Sequence, residues 1–161
     1  MDKYLLPEED GLPARESGEW VKEKLFFIQR YIATFETAMR GKSWRQRNYI
    51  DLFSGPGKCI IRGTGEYLLG SPLLALSTQY PFTDYYFGDL EQQNIDYLTE
   101  RSKGSKVPQN HIHYLTGNAN QKVKDIIKDI EQIDKVFIKG VGSCLNFSKS
   151  RIEVIYGSGS S

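Results

Sequence analysis

Cysteine is nearly missing from this chain. Its 161 residues include two, Cys59 and Cys144, far apart and in no CxxC pair. That scarcity excludes a disulfide framework and a thiolate zinc site, and it fits a reducing, cytoplasmic setting. Histidine is as scarce. His111 and His113 alternate on one expected strand with no HExxH context. Two imidazoles cannot close a structural zinc site without two more ligands, so they read as ordinary strand residues and no metal is expected. No apolar run approaches the ~20 residues of a membrane span, and Met1-Asp2-Lys3-Tyr4 opens no signal peptide. An excess of one charge is also lacking: the formal net charge is +1, so no global field draws the chain to nucleic acid or membrane. There is no internal repeat.

What is present suffices for one domain: 39% of residues are hydrophobic and 12% aromatic. The most informative stretch is Tyr49-Ile50-Asp51-Leu52-Phe53-Ser54-Gly55-Pro56-Gly57. Its apolar start suits a buried strand. Gly55 and Gly57 end that strand, since glycine takes positive φ and admits a ligand to bare backbone. Asp51 then sits at the strand's carboxyl end, where open α/β sheets bind ligands.

Residues 1–16 are acidic and aperiodic and read as an irregular arm. Ser17 reads as an N-cap. The helix after it carries Trp20, Leu25, Ile28, Ile32, Phe35 and Met39 at helical spacing, widened by Phe27 and Tyr31, and Gly41 ends it. The link over residues 40–47 holds Arg40, Lys42, Arg45 and Arg47 around Trp44. Phosphate contact is one reading of it; a solvated loop entering a strand is the plainer one. Residues 58–69 read as a long glycine-bearing loop, a mobile lid over the cleft. Ser71 and Pro72 read as the cap and first residue of a helix running to about Tyr80. A second strand ends in Asp89, a helix spans 91–102, a third strand runs from His111 to Leu115, and Gly117-Asn118 turns into a helix marked by Val123, Ile126, Ile127 and Ile130. Val136-Phe137-Ile138 starts a fourth strand. This alternation means a parallel sheet with helices on its faces.

Asp51 with the Gly-Pro-Gly turn, Asp89 and Asn118 follow three consecutive strands. Asp89 stands 32 residues after Gly57, or 19 once the 58–70 loop is set aside. That is near the ~20-residue spacing of the acid that holds ribose hydroxyls. Ile60 occupies the place of a third GxGxxG glycine, and no GxxxxGK[ST] occurs. NAD and P-loop ATP therefore fit poorly. S-adenosylmethionine, with no pyrophosphate, needs the tight turn and the ribose acid but less of an anion cradle.

Glu19-Trp20, Lys24-Leu25 and Tyr31, the 49–57 stretch and Gly70-Ser71-Pro72-Leu73 together resemble the three-Cys-motif partner proteins. These are bacterial and archaeal proteins with a class I, S-adenosylmethionine-dependent methyltransferase-like fold. The resemblance covers about residues 17–138. It implies that Asp51, Phe53, Gly55 and Gly57 surround the methionine end of S-adenosylmethionine, that Asp89 holds the ribose, and that Asn118 stands beside the adenine in place of the usual Asp. It supplies no substrate and no catalytic residue. At strand four the family's apolar run and Asp-Pro give way to Lys139-Gly140-Val141-Gly142.

The expected architecture is therefore α/β: an arm and amphipathic helix over 1–41, then an incomplete doubly wound parallel sheet over 42–138, Rossmann-like and matching the N-terminal half of a class I methyltransferase. A divergent, disordered tail over 139–161 follows, with one weak extra strand around Ile152, Val154 and Tyr156. Strand four would form an exposed apolar edge, open to a protein partner that completes the sheet. The functional expectation is an S-adenosylmethionine-binding, methyltransferase-like protein that is truncated and inactive alone. The alternative is a non-catalytic nucleoside-binding module, or a nucleic-acid-binding accessory module using Arg40, Lys42, Arg45 and Arg47.

Overall fold

The computed structural model describes residues 3–42, 46–131, 136–141 and 152–155. A 3-10 turn (Lys3–Leu5) and β1 (Arg15–Ser17) precede the long helix α1 (Trp20–Met39). Then come β2 (Gln46–Asp51), β3 (Lys58–Ile61), β4 (Tyr67–Leu69), α2 (Ser71–Leu76) and β5 (Asp84–Asp89). The chain continues through α3 (Gln92–Ser102), β6 (Ile112–Thr116), α4 (Ala119–Glu131), β7 (Val136–Val141) and β8 (Ile152–Ile155).

Five strands form one parallel sheet in the order β6-β5-β2-β7-β8. Side chains alternate across it, and the two faces find different partners. Tyr49, Tyr85 and Phe87 point to one face and pack with Ile28, Ile32 and Phe35 of α1, Leu73 and Leu76 of α2, and Leu98 of α3. Ile50 and Leu52 point to the other and pack with Val123, Ile126 and Ile130 of α4. Covering both faces buries the near-continuous apolar runs that parallel strands carry. The larger face is an aromatic box, with Phe35 stacked on Phe82 at 5.9 Å and Tyr49 5.4 Å from Phe82.

A second, three-stranded sheet, β1-β3-β4, corrects the reading of residues 58–69 as a lid. β3 and β4 form an antiparallel hairpin, and β1 lies parallel on its outer side. Cys59 and Ile61 seat this hairpin on Val21 and Leu25 of α1. Gly63 and Gly65, with positive φ, serve its turn.

Lys58 opens the stretch expected to be a glycine-bearing loop, but its side chain is fully buried. Its ammonium meets Asp10 at 2.8 Å and the carbonyls of Lys3 and Glu8. The arm, without regular structure from Leu6 to Ala14, is nonetheless pinned to the core. Asp10 also receives both forks of Arg101 from α3, at 2.8 Å each. Arg101 further donates to the carbonyls of Leu12, Pro13 and Pro56. Two buried cations against one carboxylate are tolerable because carbonyl oxygens fill the remaining donors.

Other local expectations shift. Ser17 belongs to β1, and α1 begins at Trp20 behind Glu19 with no side-chain cap. Trp20 and Phe27 lie outside the buried stripe, each 59% exposed. Gly70, not Ser71, caps α2, and α2 ends at Leu76, where the Ser77 hydroxyl takes the Leu73 carbonyl. β7 runs on to Val141 between β2 and β8, so it is no edge, and β8 supplies the extra strand. The tail expected over 139–161 is thus strand at 139–141 and 152–155; its other residues, Cys144 among them, lie outside the described ones. No helix among the described residues is long and apolar enough to cross a membrane.

Candidate functional site

β2 and β5 are neighbours in parallel register, Asp51 opposite Phe87, so their carboxyl ends and the loops beyond them meet. Asp51 and Asp89 both fall on the sheet face covered by α1, α2 and α3, because they alternate in step with Tyr49 and Phe87.

Asp51 is 1% exposed. Its Oδ1 accepts the Phe53 N–H at 3.1 Å, and its Oδ2 accepts the Ser71 hydroxyl. Burial pushes its carboxyl up to about 6, against the opposing pull of those donors and of the Lys24 ammonium nearby. A carboxylate offers about four acceptor positions. Two at Asp51 are filled by the protein.

Asp89 is tied to the turn itself. Its Oδ2 accepts the Gly55 N–H at 3.0 Å, and its Oδ1 accepts the Glu91 N–H and the Asn94 side-chain amide, also at 3.0 Å. One acceptor position, on Oδ2, stays open by the same count. The Ser54 N–H and hydroxyl both donate to the Gly88 carbonyl, which fixes the loop after β2 against the end of β5.

The two glycines of the turn differ. Gly55 has φ +61°, and among the described residues a Cβ there would find only the Arg15 side chain within 4 Å, at 3.8 Å. Gly57 has φ +92°, and a Cβ there would meet Leu98 at 3.0 Å and Leu73 at 3.3 Å. Gly57 thus faces the hydrophobic core, which corrects the expectation that it admits a ligand. Gly55 keeps the open side.

Phe53 is 54% and Leu90 69% exposed, two apolar side chains at the same rim. Asn118 is exposed; its Oδ1 accepts the Asn120 N–H at 2.9 Å and its carbonyl the N–H groups of Gln121 and Lys122, so it starts α4. The structure therefore brings Asp51, Phe53, Gly55 and Asp89 to one end of the sheet, turns Gly57 inward, and uses Asn118 as a helix start after β6.

Four contributors escaped the sequence reading. In the sequence Ser71 reads only as a cap, and Leu90 and Asn94 carry no signal beyond following Asp89. Arg15 reaches Gly55 through the pairing of β1 with β3, which periodicity cannot foresee. Of the basic link, Arg40 lies over the Tyr80 ring at 4.4 Å and Arg47 donates to the Pro81 carbonyl at 3.0 Å. Trp44 and Arg45 lie outside the described residues. At the opposite end of β5, His111 and His113 share Asp84 Oδ1, at 3.3 and 3.0 Å. Among the described residues no group of three His, Cys, Asp or Glu is placed to hold a metal ion.

No protein-family model matches the chain, and no curated protein matches it significantly. Among solved structures, a protein of the family described as DUF519 from Legionella pneumophila str. Philadelphia 1 is similar, with a TM-score of 0.48 and 14% identity over 72% of this chain. The match takes in 55% of that structure's chain, so the present chain spans little more than half its length.

Proposed function

We propose that the carboxyl end of the five-stranded sheet binds S-adenosylmethionine, and that the chain is methyltransferase-like, of the kind its motifs resemble, the three-Cys-motif partner proteins. The doubly wound, Rossmann-like reading of the fold belongs to the same proposal; the strand order β6-β5-β2-β7-β8, with helices on both faces, supports it. One observation carries the functional reading. A single turn, held by the Gly55 N–H on Asp89, sets two carboxylates with unfilled acceptor positions at the ends of adjacent strands. Asp89 can take a ribose hydroxyl on its open position. Asp51, buried and reluctant to ionise, suits a cationic group, and S-adenosylmethionine carries both an ammonium and a sulfonium. Phe53 and Leu90 offer apolar surface to the nucleoside. Binding and orientation are the contributions assigned to these residues; no group is assigned as acid or base. A non-catalytic nucleoside-binding module would use the same site and differ only in showing no transfer of labelled methyl to any acceptor.

Calorimetric titration with S-adenosylmethionine and S-adenosylhomocysteine tests the proposal. Asp89→Ala should weaken binding by about 1.5–3 kcal/mol, the range for hydrogen bonds to a charged group. Thermal unfolding of the variant is needed alongside, because Asp89 also holds Gly55, Glu91 and Asn94. A wild-type chain that takes up neither compound would end this reading.

A further inference from the structure

We propose that Arg15 is the specificity-determining residue for the ligand's carboxylate, so that Arg15 and Asp51 together receive an α-amino-acid group. The inference rests on the reading that S-adenosylmethionine occupies the site, and it names a residue that the motifs of the strand ends do not contain. The Arg15 Cδ and Nη1 each lie 3.8 Å from the point where a Gly55 Cβ would stand, so the guanidinium covers the open side of the turn. Arg15 is exposed and forms no ion pair among the described residues. Its neighbour Glu16, on the other side of β1, is paired instead with Arg62.

The backbone of Arg15 is held firmly. It stands in β1 in register with Cys59 of β3. The backbone just before it is clamped by Arg101, which takes the carbonyls of Leu12 and Pro13. The same guanidinium takes the Pro56 carbonyl inside the turn, at 2.6 Å. One buried side chain therefore fixes both the residue that would receive the carboxylate and the turn it covers. A backbone held by such a supporting shell fixes the point from which the guanidinium reaches out. Charge completes the match: Asp51 keeps two acceptor positions for an ammonium, while the planar fork of arginine fits a carboxylate with two parallel hydrogen bonds. Lys24 is the cation whose charge reaches Asp51 in the ligand-free protein, and the test must separate its contribution from that of Arg15.

The experiment compares two probes on the full chain. S-adenosylhomocysteine carries the amino-acid group; 5′-methylthioadenosine keeps the nucleoside and thioether without it. Arg15→Met should weaken S-adenosylhomocysteine roughly 10- to 100-fold and leave 5′-methylthioadenosine unchanged, with Arg15→Lys recovering part of the loss. Lys24→Met should change the ratio of the two affinities little. Arg15 is exposed, so its variants should fold, and unfolding curves check this. Equal losses for both probes, no loss for either, or a loss of discrimination in Lys24→Met alone would overturn the assignment of Arg15. If the wild type binds neither probe, the cofactor reading itself fails and Arg15 falls with it. Binding of both probes by the wild type with no effect at Arg15 sinks the present inference only.

Discussion

Asp10→Ala is the perturbation whose cost the structure defines best. Asp10 accepts from Arg101 Nε and Nη2, from Lys58 Nζ and from the Leu12 N–H, at 2.8, 2.8, 2.8 and 3.0 Å. The side chains of all three charged residues are fully buried. Truncation leaves two cations in the interior with carbonyl dipoles but no counter-charge. Breaking one buried pair costs about 3–5 kcal/mol, and here one deletion breaks two, so the upper end of that range is expected. Total stability of a domain is about 5–15 kcal/mol, so much of it would go. Urea unfolding at pH 7 reads the loss. The proton supplies a second measurement. Burial alone would raise the Asp10 carboxyl, but the Arg101 and Lys58 hydrogen bonds outweigh it and hold the group well below the usual carboxylate range. A depressed folded value means a contribution that is full above about pH 4 and drains away as pH falls further. That acid-sensitive component should be missing from Asp10→Asn. Replacing all three residues together, with Asp10→Leu, Lys58→Met and Arg101→Met, should recover most of the stability, since a packed apolar trio needs no counter-charge. An Asp10→Ala loss below about 1 kcal/mol would refute the argument.

The remaining predictions concern the turn and its carboxylate. Gly57→Ala should cost about 2–4 kcal/mol, because φ +92° and the contact with Leu98 both oppose a Cβ; Gly55→Ala, strained but unobstructed, should cost visibly less, and thermal unfolding of the pair decides. Asp51→Asn should stabilise the ligand-free protein at pH 7 by up to about 3 kcal/mol, because a folded value of about 6 makes charging this group costly as pH rises from about 4 to 6; the gain should vanish at pH 4, and a variant less stable than wild type at pH 7 contradicts the burial argument. S-adenosylmethionine affinity should fall as pH is lowered through about 6, where Asp51 takes its proton, and a flat profile would remove Asp51 from the cationic end of the ligand.

The elements most legible in the sequence are those whose partners lie within one crossover. β5 and β6 are short apolar runs closed by turn residues, and α3 and α4 repeat their apolar positions at helical spacing, so periodicity alone places them; of β2 it marks Tyr49 and Ile50 but not the polar start at Gln46, which reads as part of the basic link. The second sheet was illegible for a physical reason. Lys58 heads β3, within a glycine-bearing stretch that reads as loop; only a carboxylate 48 positions earlier makes its burial possible. Arg101 hides in the same way, as one more polar residue at the end of α3, although its partner Asp10 is 91 positions away. Trp20 and Phe27 show the converse. Apolar character at helical spacing assigned them to the core, yet α1 is already filled along its buried stripe by Val21, Leu25, Ile28, Ile32 and Phe35.

At the candidate site, the grammar of parallel sheets was enough to put Asp51 and Asp89 at the carboxyl ends of adjacent strands, because in each case an apolar run closes on an acid. It was not enough to divide the labour between two glycines one residue apart. Both have positive φ, and both look equally suited to bare-backbone contact with a ligand. What separates them is the direction in which the missing Cβ would point. Gly57 would send it into Leu98 and Leu73, so its smallness serves the packing of α2 and α3 beneath the turn. Gly55 would send it toward Arg15, so its smallness leaves room between a guanidinium and a backbone amide bound to Asp89. Substitutions at the two positions should therefore fail differently, the first in unfolding and the second in ligand selection, and that divergence follows from the tertiary placement of β1 and α3 rather than from the motif.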